Sequence, residues 1–191
     1  FRSITFNNIA TNPSIQPRSV SFSVNDGNLD SPTSNTMIKV LPINEPALFF
    51  EGDDGIHGSE LARTDGTEEG TGIIPDINPD GSSNPANYIY FKGEAFFTAN
   101  DGTNGTELWK TDGTTAGTVL VKDINTGGSS YPWNFIEYNG ELYFSADDGS
   151  NGNELWKTDG TTDGTELVKD INPSGHSYPS NFVIFLARLH N

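Results

Sequence analysis

Carboxylates, amide oxygens and glycines recur together in one short segment of this 191-residue chain. Asp53-Asp54-Gly55-Ile56-His57-Gly58-Ser59-Glu60 returns as Asn100-Asp101-Gly102-Thr103-Asn104-Gly105-Thr106-Glu107, and again as Asp147-Asp148-Gly149-Ser150-Asn151-Gly152-Asn153-Glu154. Calcium takes many oxygen ligands in a tolerant geometry, and glycines let the backbone curl around it. The expected metal ligands are therefore Asp53, Asp54 and Glu60, then Asn100, Asp101 and Glu107, then Asp147, Asp148 and Glu154, one cation to each copy. The ligand order is not that of an EF-hand. A hairpin loop rich in Gly and Asx explains the same residues through turn chemistry and local side-chain-to-backbone bonds.

Two further acidic sets repeat. Asp65, Asp112 and Asp159 each precede a glycine, and an Asp-Gly pair signals a hairpin turn. Asp76, Asp123 and Asp170 each end an apolar strand, and radial repetition would gather them at one end of an axial channel. There, converging carboxylates would raise one another's pKa or recruit a cation, although an Asp at a strand end is more often a cap or turn former. These three, with His57 and His176, are the catalytic candidates. The histidines His57, His176 and His190 fall at different positions of the repeat, so no symmetric acid-base site can be built from them. Neither a Gly-x-Ser-x-Gly elbow nor a phosphate-cradling glycine loop occurs. Trp109 and Trp156 could stack on sugars, but they repeat within an apolar strand, where packing explains them better. Trp133, beside Pro132, stands outside that register and is the candidate for an exposed contact.

What positions these residues is a unit used three times. Glu60-Leu61-Ala62-Arg63-Thr64-Asp65-Gly66-Thr67 matches Glu107-Leu108-Trp109-Lys110-Thr111-Asp112-Gly113-Thr114 and Glu154-Leu155-Trp156-Lys157-Thr158-Asp159-Gly160-Thr161, at a constant spacing of 47 residues. Such a period means stacked supersecondary units that bury their apolar faces against neighbours. In the third copy the expected strands are 141–145, 153–157 and 166–170, with a short segment around 181–183. Adjacent large residues, Phe49-Phe50, Phe96-Phe97 and Tyr143-Phe144, require both faces of the sheet to be covered. The expected fold class is all-β, with antiparallel β-propeller-like blades.

The repeats resemble the ELWxxDGT repeat of large secreted bacterial proteins, over residues 49–185. The resemblance implies propeller-like blades at about 49–95, 96–142 and 143–185, and an extracellular or cell-surface setting, and it brings no established catalytic residues. In the first copy Ala62 replaces the Trp, and Pro75 stands where the others have Lys122 and Lys169, which removes a backbone donor and suits an edge. Residues 1–47, with Ser23-Val24-Asn25-Asp26-Gly27 and Ile43-Asn44-Glu45-Pro46, resemble the C-terminal half of a bacterial cadherin-like β-sandwich repeat. Extended segments are expected there at 3–6, 19–24 and 36–40.

The chain carries 10 basic and 26 acidic side chains, a net charge of −16. Residues 1–47 are balanced, with Arg2, Arg18 and Lys39 against Asp26, Asp30 and Glu45, so the excess lies in the repeats and a boundary is expected near Pro46. Such acidity repels nucleic acid and favours cations as partners. No cysteine is present, which excludes disulfides, thiol catalysis and zinc-thiolate sites. No apolar run approaches bilayer length, so no membrane span is expected. The chain opens at Phe1 without a leader, and any secretion signal is expected on sequence outside it. A propeller closes with roughly four to eight blades, so three copies would need a second copy of the chain, or sequence beyond it, to complete a ring. Leu186-Ala187-Arg188 stand where Asn139-Gly140-Glu141 would start a further blade.

Two functions follow. One is a calcium-stiffened extracellular module for adhesion or matrix binding, with carbohydrate or a surface polymer as partner. The other is a calcium-dependent hydrolase, lactonase-like or glycosidase-like, acting on a lactone, ester or glycoside at an axial site.

Overall fold

Neighbouring residues on a strand face opposite ways, and Phe96 and Phe97 are both fully buried, each in a different hydrophobic core. The computed structural model describes strands Arg18–Phe22 and Ser34–Ile38 and residues 47–185. All described regular structure is antiparallel β, and no helix there is long and apolar enough to cross a membrane. Two compact units divide the chain, Phe1–Pro46 and Ala47–Asn191.

In the first unit β1 (Arg18–Phe22) pairs with β2 (Ser34–Ile38), Val20 opposite Thr36. The expected segment 3–6 lies outside the described residues.

The described residues of the second unit form three sheets. β3 (Leu48–Asp53), β4 (Ser59–Thr64) and β5 (Gly72–Ile73) form the first. β6 (Ala86–Phe91), β7 (Glu94–Asn100), β8 (Thr106–Thr111) and β9 (Val119–Lys122) form the second. β10 (Trp133–Tyr138), β11 (Glu141–Asp147), β12 (Asn153–Thr158) and β13 (Glu166–Lys169) form the third.

Sheet and sequence repeat are offset by one strand. β6 follows the first copy's other strands in sequence but pairs with β7 of the second copy, and β10 pairs likewise with β11. The two-residue turns Lys92-Gly93 (φ 49° and 90°) and Asn139-Gly140 (φ 53° and 77°) explain this. Two successive positive φ values match the twist of a tight hairpin and lock each pair together. The strand expected around 181–183 does not form. Its counterparts each need the first long strand of the next sheet, and no such strand follows it among the described residues.

The Asp-Gly pairs are not hairpin turns of that kind. Seven residues, Asp65–Thr71, Asp112–Thr118 and Asp159–Thr165, separate the strands they join. Asp112 Oδ1 accepts from the Thr114 N–H at 2.9 Å and from its hydroxyl at 2.7 Å, while Thr111 and Thr118 hydroxyls meet at 2.7 Å across the loop's base. A Cβ at Gly117 would overlap the Asp112 carboxylate, and the same holds for Gly70 with Asp65 and Gly164 with Asp159. The recurring Thr-Asp-Gly-Thr-x-x-Gly-Thr is thus a closed loop with the Asp side chain folded over the later glycine.

Consecutive sheets share cores. Leu61, Phe97 and Ala99 pack with Phe49 and Trp109 between the first and second sheets. Phe91, Phe96, Leu108, Leu142, Phe144 and Trp156 pack between the second and third. Each such side chain contributes roughly 1.5–3 kcal/mol on burial. Hydrogen bonds cross the same gaps: Thr115 Oγ1 donates to Ile74 O (3.0 Å), its counterpart Thr162 Oγ1 to Val121 O (2.8 Å), and Lys122 Nζ to Thr165 O (2.6 Å). Pro75 has no side-chain donor to repeat the last of these, and β5 is the shortest edge strand, as a missing N–H dictates.

Candidate functional site

The repeated glutamates point into the protein, not towards the loop aspartates. Glu107, on β8, is fully buried. Its Oε2 accepts from the Ile124 N–H at 2.9 Å and from the Ser130 hydroxyl, and its Oε1 from the Ser130 N–H at 2.8 Å. Glu60 makes the same bonds to Ile77 (2.9 Å) and Ser83 (2.8 and 2.6 Å), and Glu154 to Ile171 (2.9 Å) and Ser177 (2.9 and 2.5 Å). Glu60 and Glu107 each tie a strand to the loop that leads into the next sheet, and Glu154 ties β12 to the equivalent loop after β13. Burial pushes the Glu107 carboxyl above its ordinary value, against its bonds from Ser130 and Ile124. Glu154 also meets a burial penalty, but bonds from Ser177 and Ile171 outweigh it and hold that carboxyl low. The difference follows position, since the second sheet has a neighbour on each face and the third shares only one described core.

The remaining expected metal ligands fold onto their own loops. Asp53, Asn100 and Asp147 each accept the N–H of the glycine two residues on, at 2.7, 2.8 and 2.7 Å. Asp101 accepts the N–H groups of Thr103 (2.9 Å) and Asn104 (2.7 Å) on one oxygen and Asn104 Nδ2 (2.7 Å) on the other. Asp148 repeats this with Ser150 and Asn151, and Asp54 with Ile56 and His57, whose Nδ1 lies 2.7 Å from Asp54 Oδ2. The His57 N–H and imidazole hold the Asp54 carboxyl down at about 2, and Asp54 raises the His57 pKa in return. Burial opposes ionisation of Asp101 and Asp148, yet their hydrogen bonds win and both sit low. Among the described residues no three His, Asp or Glu side chains converge on a point a cation could occupy.

The catalytic candidates form no cluster of three among the described residues, although Asp76 adds to the rise in the His57 pKa. Asp76 is exposed, while Asp123 and Asp170 each bury an Oδ1 that has no hydrogen-bond partner. His57 is taken up by Asp54. His176 accepts the Asn153 N–H on Nδ1 at 2.8 Å, in the place where Ser82 and Ser129 serve the earlier copies, and stacks on Tyr178 at 5.0 Å.

A cleft of ≈ 260 Å³ opens between the second and third sheets. Asn87 on β6, Thr98 on β7 and Thr106 on β8 line it from the second sheet, Trp133 on β10 and Asn153 on β12 from the third, and Tyr131, Pro132 and Tyr178 from the connecting segments. Trp133 is 38 % exposed, whereas Trp156 is core and Trp109 packs against the other core. Tyr131 and Tyr178, 65 % and 59 % exposed, hold φ at 47° and 49°, a region a bulky residue enters only under constraint. The constraint is their backbone: the Tyr131 N–H donates to Thr106 O and the Tyr178 N–H to Asn153 O, each at 3.2 Å. Sequence periodicity singled out Trp133 by its isolation but passed over the tyrosines. Their signal was Asn84 at the equivalent place, since asparagine marks a positive φ.

Comparison with known proteins finds no matching family model, no matching curated protein and no matching solved structure.

Proposed function

We propose that this chain is a non-catalytic extracellular binding module whose three sheets stack as propeller-like blades, in the manner of the ELWxxDGT repeats it resembles, for adhesion to a surface or matrix. One observation carries this reading: the recurring Glu60, Glu107 and Glu154 are spent on three internal hydrogen bonds each. What returns every 47 residues is architecture, and the described residues hold no cluster of three acidic or histidine side chains. The loop carboxylates already accept donors from their own turns, and this reading does not depend on calcium. The hydrolase alternative has one specific support, the partnerless Oδ1 of Asp123 and Asp170, because buried unsatisfied carboxylates mark functional sites as well as structural ones.

The test has two arms. Fluorescently labelled chain is applied to bacterial cells and extracellular matrix, and retention is expected. Ester, lactone and glycoside hydrolysis is assayed with and without calcium, and no turnover is expected. Turnover abolished by Asp123→Asn or Asp170→Asn would replace the binding module with an enzyme.

A further inference from the structure

We infer that the cleft between the second and third sheets binds a neutral saccharide, with Trp133 and Tyr131 as stacking platforms and Asn153 and Asn87 as hydroxyl-reading amides. The inference rests on the binding-module reading and names the ligand class of its site.

The chemistry of the lining points to sugar. In a chain of net charge −16, the cleft has no charged side chain, which removes the usual means of holding an ion. What it offers instead is exposed aromatic surface beside amides and hydroxyls. Sugars present apolar C–H faces and a rim of hydroxyls, and an aromatic ring with nearby amides meets both. Asn153 is 8 % exposed, and its Oδ1 is buried without a hydrogen-bond partner. A buried acceptor left unpaired costs about 1–3 kcal/mol, and a rotation of this amide towards the cleft it lines would pair it with a ligand hydroxyl. At ≈ 260 Å³ the space fits one ring and its substituents, being just under the roughly 300 Å³ at which sites for larger ligands begin.

The protein carries its own control. The corresponding gap between the first and second sheets has Asn84 where this one has Tyr131, and Ala86 where it has Trp133. Asn84 adopts nearly the same φ as Tyr131, 47° in both, and asparagine tolerates that conformation far better than tyrosine. The exposed tyrosine is therefore not there for the turn. Its side chain stays 65 % exposed while its backbone is strained, a poor return for a structural role.

Isothermal titration and tryptophan fluorescence of the whole chain test this with maltohexaose, cellohexaose, xylohexaose and N-acetylchitohexaose, beside polygalacturonate and a decaproline peptide. At least one neutral oligosaccharide is expected to bind and to shift the fluorescence of Trp133. Tyr131→Asn and Trp133→Ala, which install residues the first gap already uses, are each expected to weaken binding at least about tenfold without lowering the melting temperature. Asn153→Ser, the residue at Ser59, is expected to do the same. Binding of none of the four neutral oligosaccharides, binding that survives both aromatic substitutions, or saturation by decaproline or polygalacturonate alone overturns the inference. Retention on cells with no saccharide bound sinks this inference and leaves the binding module standing, whereas hydrolytic turnover sinks the module itself.

Discussion

Glu107 and Ser130 are joined twice: the serine's N–H and its hydroxyl both donate to one fully buried carboxylate. The pair lies 23 residues apart and fixes where the chain leaves one sheet to begin the next. A carboxylate held by three donors is costly to bury but more costly to orphan, since each donor left unpaired loses about 1–3 kcal/mol. The same pairing recurs at the same separation in Glu60–Ser83 and Glu154–Ser177.

Trp156 and Trp133 are expected to separate by role. Trp156→Ala, which empties a place in the core shared by the second and third sheets, should cost about 3–5 kcal/mol in urea unfolding. Trp133→Ala, at a half-exposed position, should stay within about 0.5 kcal/mol. Equal losses would mean that Trp133 is a packing residue after all.

Gly117→Ala is expected to destabilise by about 1–3 kcal/mol, because its Cβ overlaps the Asp112 carboxylate and forces it off Thr114. The cause is checked by a cycle with Asp112→Ala. Once the carboxylate is gone the alanine should cost almost nothing, and an undiminished cost would place the clash elsewhere.

The Asp54–His57 pair makes a pH prediction with two signs. Asp54 titrates at about 2 in the folded chain against an ordinary 3.8, so its contribution is present above 3.8 and is lost as the pH falls towards 2. His57 titrates above its ordinary 6.5, so its contribution is full below 6.5 and disappears as the pH rises through the folded value. Carboxyl and imidazole NMR titrations read both directly. His57→Asn installs the residue found at Asn104 and Asn151, which bond Asp101 and Asp148 in the same way. It should keep the loop and abolish the upper transition.

Calcium is expected to leave the melting temperature unchanged, because each loop carboxylate already accepts donors from its own turn. A ligand that binds only the folded state raises that temperature. A calcium-dependent rise reversed by chelator would restore the loops as cation sites.

Much of the fold was legible because adjacent apolar pairs such as Phe96-Phe97 demand two covered faces, and the cores on either side of them meet that demand. The strand offset was harder to see. Periodicity gives the length of a repeat but not its phase, and only the Lys92-Gly93 and Asn139-Gly140 turns show that β6 and β10 belong to the following sheet. Asp65, Asp112 and Asp159 misled for a related reason. An Asp-Gly pair reads as a tight turn in isolation, and the loop closes instead through Gly70, Gly117 and Gly164 five residues on. The glutamates were the deepest difficulty. In sequence Glu107 adjoins a loop of oxygen ligands, and its partner Ser130 is marked by nothing except recurrence at the same interval. The cleft draws on all three repeats, Asn87 from the first, Thr98 to Trp133 from the second and Asn153 and Tyr178 from the third, so no single repeat displays it.

The most direct measurement is a double-mutant cycle in urea between Glu107→Gln and Ser130→Ala. If the repeated carboxylate is a structural clamp, each substitution lowers stability and the two are coupled by about 0.5–3 kcal/mol, with cell-surface retention unchanged. Additive effects, or a Glu107→Gln chain of full stability that no longer binds, would contradict it.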